Sequence, residues 1–474
     1  MKRKLLHDLS ANTLQVIINQ LCGLAIFYVL SISFSKNDFG EINWSLAVLL
    51  TAFSILSLGI DQLIVKKVAE GVDATMILSI YFVHVLLSGC IFYSLLLIVH
   101  FIFPAFHHQL LLFLGIGKMM IFFSSPFKQL ANGLEKFRLL LYMSVCSNII
   151  RGLLLILFFI FGTLSILNMI IIFITGDVCE LILSLALTKK ILKIPFGIKI
   201  KKIRYFNLIK EALPQAGVVV FTSAIARFDW IFLGIFASNI ALAEYSFAFK
   251  VFEIASLPLL VIAPILIPRF SRMFNAFFTN NSIIKENELM VLLRIEMIIS
   301  SFLALIFNIL WTPVMDFITH NKYGFVNRNT VFILSFCMPI LYVNNLLWTI
   351  SFAKGKLKII FNIFLITFLI NISFDVILIP FLGGEGAAIA YLIAVLAQMI
   401  LFFNKTEIVQ FKNAAYSILL CPLASLVSGL LAMQLSDLPL AVLLISISFF
   451  FFILIITRQI IYKDWLIIKR VSGF

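Results

Sequence analysis

Five basic residues, Lys118, Arg151, Arg227, Lys250 and Arg294, fall inside long apolar stretches of the chain. Asp177, Glu180, Asp229, Glu253, Glu296 and Asp375 supply acidic groups in similar settings, and His84 adds a titratable ring. One charge at the centre of a membrane helix costs about 2.5–3.5 kcal/mol on insertion scales. Five isolated bases would cost on the order of 12–18 kcal/mol on those scales, so they must face one another or a wet cavity. Two chemistries follow. Bases held at mid-depth can receive an anionic group such as a phosphate, or they can pair internally and hold helices together.

A helical rise of about 1.5 Å per residue sets their depths. Arg227 lies about 20 Å from the inner end of its span, with Asp229 slightly farther. Lys250 lies about 10 Å below the outer end of the next span, at a similar level. Glu253 is one turn deeper than Lys250, on the same helix face. Arg151, about 20 Å up its span, and Lys118, about 13 Å down its own, reach similar heights in the other half of the chain. The expectation is a cationic, partly compensated cavity between two helix bundles, lined by Arg227, Asp229, Lys250 and Glu253. For Lys118 and Arg151, cavity lining and structural pairing both stay open. Arg294 and Glu296 read as interfacial.

Other chemistries lack their residues. No Walker sequence, nucleophile elbow, HExxH motif or Gly-rich dinucleotide turn occurs, and Gly383-Gly384-Glu385-Gly386 reads as a short outer turn. The six cysteines stand singly, without disulfide or zinc spacing, and the six histidines are scattered. No cofactor or metal is expected. With no soluble domain to hold ATP, energy must come from an ion gradient, a substrate gradient or a partner.

The elements that position these charges are membrane helices. The 474-residue chain is 62% hydrophobic and 12% charged, with a mean hydropathy of +1.12, where a soluble chain carries about 25% charged residues. The apolar runs predict an all-α integral membrane protein of about fourteen transmembrane helices. Their spans lie near 12–34, 41–60, 75–100, 109–127, 138–161, 164–187, 214–237, 243–267, 289–318, 328–352, 358–380, 385–403, 414–433 and 439–457. Helix is the required conformation, because an open backbone cannot satisfy its polar groups in hydrocarbon and the runs are too long for barrel strands. The eighth span carries Pro258, Pro264 and Pro268, each costing a helical hydrogen bond, so it should bend.

Charge placement tests this map. Of the 36 Lys and Arg, 28 fall in segments on the side of the N-terminus and 3 on the opposite side. That asymmetry puts both termini in the cytoplasm, and it accounts for the net charge of +14 without invoking nucleic acid. Residues 1–187 form an N-terminal six-helix lobe and 214–403 a C-terminal one. Between them, 188–213 is a basic linker in which lysines alternate with Ile198, Ile200, Ile203, Phe206 and Ile209, suited to lying on anionic lipid or simply to fixing orientation. Helices 13 and 14 and a cytoplasmic tail occupy 404–474. Six spans per lobe make the repeats parallel, with a substrate path expected between them.

Several local patterns resemble those of a known group. They are Phe39-Gly40 before the second span, Gly59-Ile60-Asp61 near its end, Arg227-Phe228-Asp229, Leu242-Ala243-Glu244-Tyr245-Ser246, and the run from Ile379 through Gly383-Gly384-Glu385-Gly386 to Ala390. Together with the topology they resemble the polysaccharide repeat-unit (O-antigen, Wzx-type) flippases of the multidrug/oligosaccharidyl-lipid/polysaccharide exporter superfamily. Ala243 stands where that family often has Gly, and Gly384-Glu385 lengthens the usual tight turn. The resemblance implies translocation of an undecaprenyl-diphosphate-linked oligosaccharide across a bacterial inner membrane by alternating access, without enzymatic activity. Its partners would be that lipid-linked substrate, membrane lipid, a polysaccharide polymerase and a chain-length regulator. Arg227, Asp229, Lys250 and Glu253 fall on helices that line the cavity in this family. The alternatives are a multidrug exporter of the same superfamily and a membrane polymerase or ligase. Against the first stand fourteen spans and buried bases; against the second, the lack of a large outer loop.

Overall fold

The computed structural model describes residues 2–103, 106–194, 202–259, 282–406 and 411–460. These residues are helical almost throughout, as their apolar runs demand. The chain divides into two compact units, 1–234 and 235–474.

In the first unit, α1 (Lys2–Ser33), α2 (Lys36–Leu56), α4 (Ala74–Ile102), α5 (Phe106–Gly133), α6 (Phe137–Ile160) and α7 (Ile166–Leu187) carry the first six expected spans. A short α3 (Ile60–Ala69) lies between α2 and α4, and α8 (Lys202–Phe236) closes the unit. Polar residues fix the helix starts. Asp73 accepts the Thr75 amide ahead of α4, and Ser165 accepts that of Asn168 ahead of α7. Each satisfies an amide that the first turn leaves without a partner. Gly59, at φ +67°, supplies the left-handed residue that redirects the chain into α3. α5 is the hub, packing on α2, α3, α4, α6 and α7.

α8 begins at Lys202, so the last twelve residues of the expected basic linker continue the helix of the seventh span. Three side chains bind this helix to its own unit. Lys67 pairs with Glu211 at 2.6 Å, His84 Nδ1 meets the Tyr205 hydroxyl at 3.0 Å, and Trp44 Nε1 donates to the Ile231 carbonyl at 3.2 Å. Residues 195–201 of the linker lie outside the described residues.

The second unit contains α9 (Asn239–Ala255), α10 (Ser282–Thr319), α11 (Arg328–Ala353), α12 (Leu357–Thr406), α13 (Phe411–Leu435) and α14 (Pro439–Ile456). Ser238 caps α9 by accepting the Ala241 amide. The helix stops in a turn at Ser256, two residues before Pro258, while Pro264 and Pro268 lie outside the described residues. α12 joins the eleventh and twelfth expected spans. The expected outer turn is a one-residue kink at Gly383, whose φ of 53° and ψ of −127° no residue with a Cβ adopts comfortably. α10 packs on α11, α13 and α14, and its Leu293, Met297 and Leu305 meet Leu347, Cys421 and Phe450 in the core.

Among the described residues, eleven helices or helical stretches are long and apolar enough to cross a membrane, α12 counting as one. The expectation of an all-α integral membrane chain therefore holds, and the protein is multi-pass.

Candidate functional site

Four buried charges of the first unit, Lys118, Arg151, Asp177 and Glu180, form one connected network. Asp177, on α7, is fully buried and forms ion pairs with two bases on two other helices. Lys118 Nζ on α5 lies 3.1 Å from Oδ2, and the Arg151 guanidinium on α6 lies 2.8 Å from Oδ1. Three residues on, and so on the same face of α7, Glu180 takes Lys128 Nζ of α5 at 2.6 Å. Glu180 also accepts from Ser124 and from Ser147, while Arg151 Nε donates to the Ser147 carbonyl at 3.2 Å. Both the Lys118 ammonium and the Arg151 guanidinium lie 5.4 Å from the centre of the Phe173 ring, whose electron-rich face attracts cations.

Two glycines make room for it. A Cβ on Gly117 would come 2.6 Å from Asp177 Oδ2, and one on Gly176 would come 2.7 Å from Arg151 Cγ. Either methyl would push the paired groups apart. Lys118 and Arg151 are 6% and 7% exposed. Each has an acidic partner in contact and joins its own helix to α7 through Asp177, as a base in a low-dielectric interior needs a compensating carboxylate.

The other four expected residues are placed differently. Arg227 on α8 is half-buried, with its guanidinium 4.5 Å above the Trp230 ring. Asp229 is buried, and its carboxylate accepts the Trp230 amide at 2.8 Å. Lys250 and Glu253 on α9 pair with each other at 2.8 Å, one turn apart, and both stay partly accessible. Lys118 and Arg151 are thus brought together through Asp177, whereas Lys250 has its own local carboxylate.

Sequence reasoning missed Lys128, which it did not single out among the bases on the side of the N-terminus. It also missed the cluster in which Asp61 accepts from Tyr81 and, at 3.1 Å, from Ser125, tying α3 to α4 and α5. A usable signal existed: Asp177 and Glu180 share a helix face in an apolar run, with small residues at Gly117 and Gly176 to admit large partners. No group of His, Cys, Asp and Glu among the described residues is arranged to hold a metal ion.

The described residues thus form an all-α, multi-pass chain with charges buried between its helices, and solved structures share that fold. The chain is similar to a lipid II flippase in an inward closed conformation, with 16% identity and a TM-score of 0.76 over 96% of this chain and 99% of that one. It is also similar to an inward-facing multidrug resistance MATE family transporter, with 11% identity and a TM-score of 0.65 over 86% and 98% of the two chains. A MOP superfamily transporter from Pyrococcus furiosus follows at 11% identity and 0.58, over 84% and 94%. No curated protein matches the chain in sequence. Residues 5–274 match the model of the polysaccharide biosynthesis protein family, and the chain belongs to that family. What it shares with these solved transporters is the fold.

Proposed function

We propose that this protein is a flippase that carries a polyprenyl-diphosphate-linked oligosaccharide repeat unit across the bacterial inner membrane, for O-antigen or another surface polysaccharide. Membership of the polysaccharide biosynthesis family carries the reading. The full-length likeness to a flippase fold supports it. In this account Arg227 on Trp230, and separately Lys250 held by Glu253, are partly accessible bases suited to an anionic group such as the diphosphate. Lys118 and Arg151 keep the first unit's helices in register instead. Both termini face the cytoplasm, where the basic segments hold the chain against anionic lipid. A polymerase and a chain-length regulator would act on the delivered unit.

A second reading, lipid II transport, is favoured by the likeness to a lipid II flippase. Deleting the gene and analysing the lipids separates the two. On the first reading, complete lipid-linked single repeat units accumulate on the cytoplasmic face while lipid II is unaffected. Accumulation of lipid II supports the second. Single units that reach the outer face but stay unpolymerised would overturn both.

A further inference from the structure

Within the second unit, α10, α11, α13 and α14 border a cavity of about 620 Å³, a size typical of small-ligand sites, which run from roughly 300 to 1,000 Å³. Leu305, Ile309, Val331, Phe336, Leu426 and Val442 form its apolar walls. Ser301 lies at its deep end, buried, with a hydroxyl that lacks a hydrogen-bond partner. At the opposite end, Arg328 opens α11 beside Asn329, and Ser436 and Asp437 form the turn into α14. The lining residues Phe325 and Leu430 are 70% and 55% exposed, so the cavity opens sideways to the apolar surroundings.

Its depth matches one leaflet. The lining stretch of α10, from Ser301 to Pro313, covers about 18 Å at the helical rise, and that of α11, from Arg328 to Pro339, about 16 Å. Half of a hydrocarbon core of roughly 30 Å is a similar distance. Pro313, Pro339 and Pro422 all border the cavity, one on each of three helices. Each lacks an amide and so releases a carbonyl one turn earlier; concentrated here, they shape the helices around this space. The mouth carries both signs of charge, and the phosphate of a ligand at Arg328 would also meet the positive end of α11.

We propose that this cavity holds one acyl chain of a zwitterionic bilayer phospholipid, with the phosphate at Arg328 and the ammonium at Asp437. A lipid with phosphate alone would satisfy Arg328 but set its charge against Asp437. The site lies in the leaflet opposite the N-terminus on the charge-based orientation, and it does not depend on which cargo the protein moves.

The test is to purify the full chain in mild detergent from membranes containing phosphatidylethanolamine, phosphatidylglycerol and polyprenyl phosphate, and to identify retained lipid by mass spectrometry. About one phosphatidylethanolamine per chain is expected. Ser425, buried on α13, also lines the cavity; Ser425→Phe, which fills it, should lower retention at least fivefold, and Arg328→Ala at the exposed mouth should lower it severalfold. Because Arg328 is exposed, that variant keeps the test decisive if Ser425→Phe fails to fold. Unchanged retention in Arg328→Ala, or preferential retention of phosphatidylglycerol or polyprenyl phosphate, overturns the proposal.

Discussion

Asp177→Asn is the sharpest probe of the charge network, because one carboxylate serves two buried bases, Lys118 at 3.1 Å and Arg151 at 2.8 Å. Removing one partner of a buried pair costs about 3–5 kcal/mol, since the other charge is left without compensation. Here two cations lose their shared partner, and Glu180 is already held by Lys128 at 2.6 Å. The cost should sit at the top of that range, about 4–5 kcal/mol, a large part of the roughly 5–15 kcal/mol that holds a typical domain together. Thermal unfolding of the purified protein in one detergent, followed by tryptophan fluorescence, measures it. Asp177→Asn should unfold many degrees below the parent. Adding Lys118→Met should recover part of the loss, because one stranded ammonium is gone. Equal midpoints for parent and Asp177→Asn, or a double variant no better than the single, would refute the reasoning.

Gly176→Ala places a methyl 2.7 Å from Arg151 Cγ and 3.0 Å from the Ser147 carbonyl, and should cost about 1–3 kcal/mol by overpacking, read as a lower midpoint in the same assay. Gly383→Ala forces a Cβ onto the kink of α12, at φ 53° and ψ −127°, and should cost about 1–3 kcal/mol, again as a lower midpoint. Trp44→Phe removes the bond to the Ile231 carbonyl. It should cost about 1 kcal/mol and speed proteolysis in α8, checked by timed digestion.

Apolar length was the readable part of this chain. Hydrocarbon demands about 20 apolar residues per crossing, and the expected spans fall on helices of the described residues, two of them on α12 alone, except that 260–267 of the eighth lie outside those residues. Local chemistry was harder. α3 is only ten residues with Asp61, Lys66 and Lys67, too short and polar to stand out from the loop around it. The start of α8 was hidden because its lysines and Glu211 look like linker, although the helix runs on through them. At Gly383 the Gly-rich run signalled a break, but only the backbone shows that one residue suffices. Partner choice was not legible, since Lys118 and Asp177 lie 59 positions apart and meet only once α5 packs on α7. Mid-membrane position alone could not separate Lys118, which is paired inside, from Arg227, which rests half-buried on Trp230.

Reconstitution tests the central claim most directly. The purified chain is placed in liposomes with a polyprenyl-diphosphate-linked oligosaccharide in the outer leaflet, and the fraction that becomes protected from an added glycosidase is followed. The account predicts protein-dependent protection that falls at least tenfold in Arg227→Ala at equal incorporation. Protection no faster than in protein-free liposomes would contradict it.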